Sequence, residues 1–297
     1  MTTEGWLSPC LSFARSVWSG AMAVSSSSPP AAPAMTLGPR RYRAVNWVGL
    51  WTLYSKEVRR FMSVATQTVL APMVTTLLFL AVFVLALGHA VDKVGNVAYM
   101  SFLAPGLIMM AITQNSFANT SSSILISKIQ GNIVDLLMPP LSPLERTIGL
   151  AAGGLTRGLV VGLATWVAML PFVPMPIAHP LYILFHAVAA SLMMSLIGVV
   201  AGVWAEKFDH MAAITNFVVT PAAFLSGAFY SAQRLPEFWQ KVAHANPLFY
   251  LIDGFRYGFI GHADGSLPAG IAVMLAANAC LLLLTHRLFA VGYHLKA

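Results

Sequence analysis

Apolar positions in this chain fall into long blocks separated by short polar breaks. Six blocks of about 20 mostly apolar residues, at roughly 69–88, 99–119, 148–170, 181–204, 212–231 and 269–290, are each long enough to cross a bilayer as a helix. None of them contains Asp or Glu, and Pro72, Pro105 and Pro221 lie inside them, which membrane helices tolerate better than soluble ones do. The pattern predicts an all-α polytopic membrane protein with six transmembrane helices. An even number of spans puts both termini on one side.

The remaining periodic segments are amphipathic. Between Val45 and Met62, the apolar residues Trp47, Leu50, Trp51, Tyr54, Val58, Phe61 and Met62 recur at three- and four-residue steps. Lys56, Glu57, Arg59 and Arg60 fall elsewhere, so the segment reads as a helix at the cytoplasmic headgroup level. Packing on a soluble partner domain is the competing reading. Residues 120–147 form the longest internal loop, within which 127–138 reads as a helix stopped by Pro139-Pro140. It presents Ile129, Ile133, Leu136 and Leu137, with Lys128, Gln130 and Asp135 beside them, and suits the groove of a soluble partner. Residues 232–268 form the longest external loop. Leu235, Phe238, Trp239 and Val242 share one helical face, Asn246-Pro247 breaks the chain, and 248–260 is apolar again. Too short to span twice, this loop predicts two short re-entrant helices, with a surface amphipathic helix as the alternative.

Composition narrows the class. Of 297 residues, 58% are hydrophobic and 9% charged, and the mean hydropathy is +0.74. Soluble domains carry about 25% charged residues, so a soluble enzyme is excluded. The net charge of +7 reads as an orientation signal rather than as nucleic-acid binding. With cytoplasmic termini, twelve Lys and Arg fall inside and four outside, Arg157 lying within a span. Residues 1–43 include a Ser/Pro/Ala stretch and predict a disordered tail, with Met35 a candidate true start. A signal peptide is disfavoured because no Lys or Arg precedes the apolar part and Arg15 interrupts it.

Candidate chemistry is sparse. Cys10 and Cys280 make no disulfide framework, no two of the eight His lie at i,i+4, and a metal site is not expected. No catalytic residue is evident. The absence of any Gly-Lys pair excludes a phosphate-binding P-loop. Without intramembrane carboxylates, ion-coupled transport is also disfavoured, so energy must come from a partner. Arg157 has two readings: a cation facing a cavity for an anionic group, or a side chain snorkelling to the cytoplasmic interface. Gln114, Asn115, Asn119 and Asn216 either bond between helices or line a substrate path. GxxxG spacings at Gly149, Gly153, Gly154, Gly158 and Gly162, and at Gly198 and Gly202, fit close helix packing within the chain or across a dimer.

Several of these segments together are similar to a known family. Lys56-Glu57-Val58-Arg59-Arg60-Phe61, Ala104-Pro-Gly-Leu-Ile-Met-Met110, the Lys128–Pro140 loop and Asn246-Pro-Leu-Phe-Tyr-Leu-Ile-Asp-Gly-Phe-Arg-Tyr-Gly-Phe259 resemble the membrane subunits of type-2 ABC transporters. Within that group, with Phe238-Trp239, they resemble the YadH-type inner-membrane permeases of bacteria. The resemblance covers about 45–290 and implies that 44–297 is a six-span permease domain. It implies a connecting helix carrying Lys56, Glu57, Arg59 and Arg60. It also implies a coupling helix carrying Lys128, Ile129, Gln130, Asn132, Ile133, Asp135 and Leu136.

The implied assembly is a homodimer with two separate ABC ATPase subunits. ATP and Mg bind those partners and no cofactor binds this chain. The complex would export an amphiphile (lipid, polysaccharide or drug-like) across the bacterial inner membrane, with the permease in contact with membrane lipids. Gln114, Asn115, Asn119, Arg157 and Asn216 are the candidate pathway residues. The competing readings are a membrane enzyme acting on lipid-linked sugars, with Asp92 or Asp253 as its base, and a passive channel or assembly factor.

Overall fold

The computed structural model describes residues 45–87, 93–94, 97–231 and 236–294. The expected N-terminal tail and Met35 lie outside the described residues, as does Asp92.

The chain opens with α1, Trp47–Met62, capped by the Asn46 side chain, whose Oδ1 accepts from the Gly49 N–H. Its face toward the bundle carries a carboxylate as well as apolar residues. Leu53, Glu57 and Phe61 are buried, whereas Trp47, Val48 and Trp51 are exposed. Leu53 meets α5 and Glu57 finds polar partners inside, which fixes the face α1 turns to the bundle. After a turn, a π-helical turn over Thr66–Leu70 leads into α2, Ala71–Leu87. A minimal hairpin follows, β1 (Lys93–Val94) pairing antiparallel with β2 (Val97–Ala98).

The central element is α3, Tyr99–Ile129, which packs on α2, α5, α6 and α10. It runs ten residues beyond the apolar block ending at 119. The predicted continuous helix over 127–138 is broken: Gly131 adopts φ +74°, and only Ile133–Leu137 (α4) is helical beyond it. Glycine reaches the left-handed region without a Cβ penalty and reverses the chain there. Next come α5 (Pro143–Met169), α6 (Pro180–Trp204) and α7 (Phe208–Ile214). A second π-helical turn, Thr215–Val219, joins α7 to α8, Thr220–Phe224. This fifth apolar helix therefore ends at Phe224, not at 231, because the chain turns at 225–227 with Gly227 at φ +77°. Two short helices, α9 (Glu237–Ala245) and α10 (Pro247–Ile260), precede α11, Leu267–Val291. Asn246 separates that pair and caps α10 through the Leu248 N–H.

Four helical stretches among the described residues are long and apolar enough to cross a membrane: Thr66–Ala86, Pro143–Met169, Pro180–Trp204 and Leu267–Val291. The protein is an all-α polytopic membrane protein. α3 falls short of that hydropathy because Gln114, Asn115, Asn119 and the run Thr120–Ser123 dilute it.

Those polar residues explain the glycine stripes. A Cβ on Gly154 or Gly158 of α5 would run into Ser195 and Thr120, or Ser116 and Ser191. One on Gly198 of α6 would meet Thr120 and the Phe117 carbonyl. Bare glycine backbone thus lets the small hydroxyl residues of α3 seat between α5 and α6. Thr120 seals the contact by donating to the Ser195 carbonyl at 2.8 Å. The stripes serve packing within the chain.

Candidate functional site

Three features built by this packing carry polar chemistry: a charged network where α1 meets α3, a hydrogen-bonded end around α4, and a cavity beside α3.

The network centres on Glu57, whose side chain is 1% exposed. Its Oε1 accepts from Ser123 Oγ at 2.7 Å, and its Oε2 forms an ion pair with Arg60 Nη2 at 2.9 Å. Arg60 Nη2 also donates to the Asn119 carbonyl (2.7 Å) and to Asn119 Oδ1 (3.0 Å). One turn along α3, Asn115 Oδ1 accepts from Arg157 Nη2 at 3.1 Å. A charge buried without a partner costs several kcal/mol, so each of these ions is held by a carboxylate, amide or carbonyl. Arg157, fifteen residues into α5 (143–169), is bonded to the buried amide of Asn115.

At the other end of α1, the α4 loop is tied to α1 and α5, and the last turn of α3 before it is tied to α6. Arg146 Nη2 donates to the Leu137 carbonyl at 2.9 Å, and Asn46 Nδ2 donates to the Pro140 carbonyl at 3.3 Å. Lys128 Nζ donates to the carbonyls of Val203 and of Ala205 (3.1 Å to the latter), closing the C-terminal end of α6. Burial holds the Lys128 ammonium below its usual pKa, partly offset by the charge of Glu206. Glu145 completes a capping box with Ser142 and accepts from the Asn46 N–H at 2.5 Å, joining the starts of α5 and α1. Of the predicted coupling residues, Ile133 and Leu136 are buried, while Ile129, Gln130, Asn132 and Asp135 are exposed. Lys56 and Arg59 are exposed beside α1's buried face. Sequence reasoning missed Asn46, Glu145 and Arg146, although the spacing Ser142-x-x-Glu145 signals a capping box.

The cavity, about 780 Å³, lies between α2, α3 and the Phe208–Phe224 helix. Gln114 and Asn115 line it, together with Gln67, Thr75, Ser121 and Ser122, which sequence reasoning did not single out. Asn119 is wholly buried in the Glu57–Arg60 network, Arg157 lies behind Asn115, and Asn216 is exposed away from the cavity lining. Among the described residues, no group of three or more His, Cys, Asp or Glu could hold a metal. Asp253, a candidate base for the enzyme reading, is spent on structure: its two oxygens accept from the Asp264 and Gly265 N–H groups at 2.8 and 2.9 Å.

A model of the "ABC-2 type transporter" family matches residues 48–260, from the start of α1 to the end of α10. The chain belongs to the ABC-2 type transporter family. This permease is 36% identical over 251 residues to the inner membrane transport permease YadH of Escherichia coli (strain K12), covering 84% of this chain and 98% of that protein. It is also similar to nodulation protein J of Rhizobium leguminosarum bv. trifolii, 26% identical over 220 residues, or 74% of this chain and 83% of that protein. The corresponding figures for nodulation protein J of Neorhizobium galegae are 22% over 219 residues, 73% and 82%. The permease is therefore a multi-pass inner-membrane transport component, in a family that implies association with an ABC ATPase.

Proposed function

We propose that the permease is the membrane subunit of an ATP-driven exporter, acting as a homodimer with two separate ATPase subunits and moving an amphiphile across the inner membrane. Both termini are cytoplasmic and the chain crosses six times: the four long apolar stretches, α3, and the Phe208–Phe224 helix. In this reading α1 is the connecting helix, α4 with its flanking turn is the coupling element, and α9–α10 are re-entrant. ATP and Mg reside on the partner.

One observation carries the reading. The short loop at α4 presents Gln130, Asn132 and Asp135 outward while it is hydrogen-bonded to the starts of α1 and α5, and Lys128, in the last turn of α3 that leads into it, is bonded to the end of α6. A push on α4 would thus be delivered to three helices together, as a rigid-body switch needs. Lys128, Ile133 and Leu136 support the loop and Ile129 adds an exposed apolar contact beside it; Lys56 and Arg59 extend the charged surface along α1; Glu57 and Arg60 anchor α1 to α3. Gln114 and Asn115 line the substrate path, while Asn119, Arg157 and Asn216 stand outside its wall.

The test is to co-express and purify the permease with ABC ATPase subunits from its own genome and to measure complex formation and ATP hydrolysis. Gln130→Lys and Asp135→Lys should weaken association or uncouple hydrolysis; unchanged association and coupling would sink the assignment. For topology, a reporter fused after residue 265 should read external.

A further inference from the structure

The cavity beside α3 has a chemical gradient and no charge. Among the described residues lining it there is no Asp, Glu, Lys, Arg or His. One end carries the amide of Gln67 and the hydroxyls of Ser121, Ser122 and Thr215, and the middle carries the amides of Gln114 and Asn115. About 18 Å along α2 from Gln67, at 1.5 Å per residue, and closer to the mid-cavity Gln114 and Asn115, the wall turns aromatic at Phe79, Phe224 and Phe229, with Phe117 the aromatic residue among the polar ones. Phe229 is stacked on Phe224 at 5.2 Å and on Phe83 at 4.8 Å, making a continuous apolar end.

The cations nearest the polar end do not line it and are engaged by other groups. Arg60 is paired with Glu57, turned onto Asn119 and in touch with the cavity wall only through Ser122 Oγ at 3.4 Å, and Arg157 is held behind Asn115. By contrast, the side-chain amides of Gln67 and Gln114 are exposed and make no hydrogen bond with described residues. Each amide offers two donors and an acceptor. A wall of this kind satisfies hydroxyl and amide groups, whereas an ionised headgroup entering it would lose hydration with no counter-charge in return.

We infer that the cavity takes an amphiphile with an uncharged, hydroxyl- or amide-rich headgroup, seated at Gln67 and Gln114, with its apolar chain against the phenylalanines. This deepens the proposed exporter role and rests on it for directional transport, while headgroup preference is a property of this chain alone. Asn115 is the specificity element, since it both lines the cavity and screens Arg157.

The test uses the full permease in phosphatidylcholine nanodiscs and three photoreactive probes that share one diazirine-bearing dodecyl chain: a maltoside, a phosphate and a trimethylammonium. Labelling of cavity residues is mapped by mass spectrometry and divided by labelling at exposed Leu283 of α11, which corrects for membrane partitioning. The maltoside should exceed each charged probe by about tenfold or more, the scale of leaving one partly hydrated charge unpaired. Gln67→Leu with Gln114→Leu should remove that excess, and Asn115→Ala should raise labelling by the phosphate probe by uncovering Arg157. Equal ratios for all three probes, or a preference for a charged one, in the unsubstituted protein would overturn the inference whether or not the variants fold. No ATPase enters this assay, so loss of ATPase association would refute the transport reading and leave the headgroup result standing.

Discussion

Glu57 of α1 lies directly against Gly153 of α5, where an added Cβ would come within 2.5 Å of the Glu57 Cβ. The bare backbone of Gly153 is what lets a carboxylate enter the helix bundle and reach Ser123 on α3. The contact fixes how α1 leans on the helices that follow.

Gly153→Leu should therefore force α1 away from α5. Overpacking of this kind costs about 1–3 kcal/mol. A lowered midpoint of thermal unfolding in detergent, with a smaller loss for Gly153→Ala, which adds only the Cβ, is the expected result.

Removing one member of the ion pair should cost more than shortening its surroundings. Glu57→Ala leaves Arg60 without its carboxylate, and breaking a buried pair costs about 3–5 kcal/mol, the lower end applying because Arg60 is partly exposed. Glu57→Gln keeps the Ser123 contact and should lie between the two. Chemical unfolding of the three proteins orders them, and a Glu57→Ala protein as stable as the parent would contradict the anchoring role.

The capping box makes a separable prediction. Glu145→Ala removes the acceptor for both the Ser142 and Asn46 N–H groups, so it should destabilise the α4 end by about 1–3 kcal/mol. Hydrogen exchange should show faster opening at residues 46–50 and 142–146 while α11 stays protected.

Lys128 gives a pH dependence. Its folded pKa lies below the ordinary value, so between that lowered value and 10.5 the unfolded chain binds more protons and stability rises with pH. The charged form is the one penalised by burial, and the penalty fades as the proton leaves. Lys128→Met should flatten the stability profile over that window relative to the parent. A parent profile that falls more steeply than the variant's there would reverse the assignment.

The membrane class, the amphipathic first helix and the family were legible in the sequence, because bilayer thickness demands long apolar runs and helical period demands three- and four-residue spacing. The breaks at Asn246 and at Pro139-Pro140 were legible for a similar local reason: proline and its preceding residue restrict the backbone wherever they occur. Tertiary packing decided which face of α1 turns inward, since Glu57 finds Ser123 66 positions away and no periodicity encodes that partner. It also decided that the glycine stripes pack on the hydroxyls of α3, and that Gly131 and Gly227 end helices the apolar pattern would have continued. Arg157 shows the division most plainly. Its sequence position admits a cavity or an interface, and only the approach of α3 to α5 supplies Asn115 as the group that holds it.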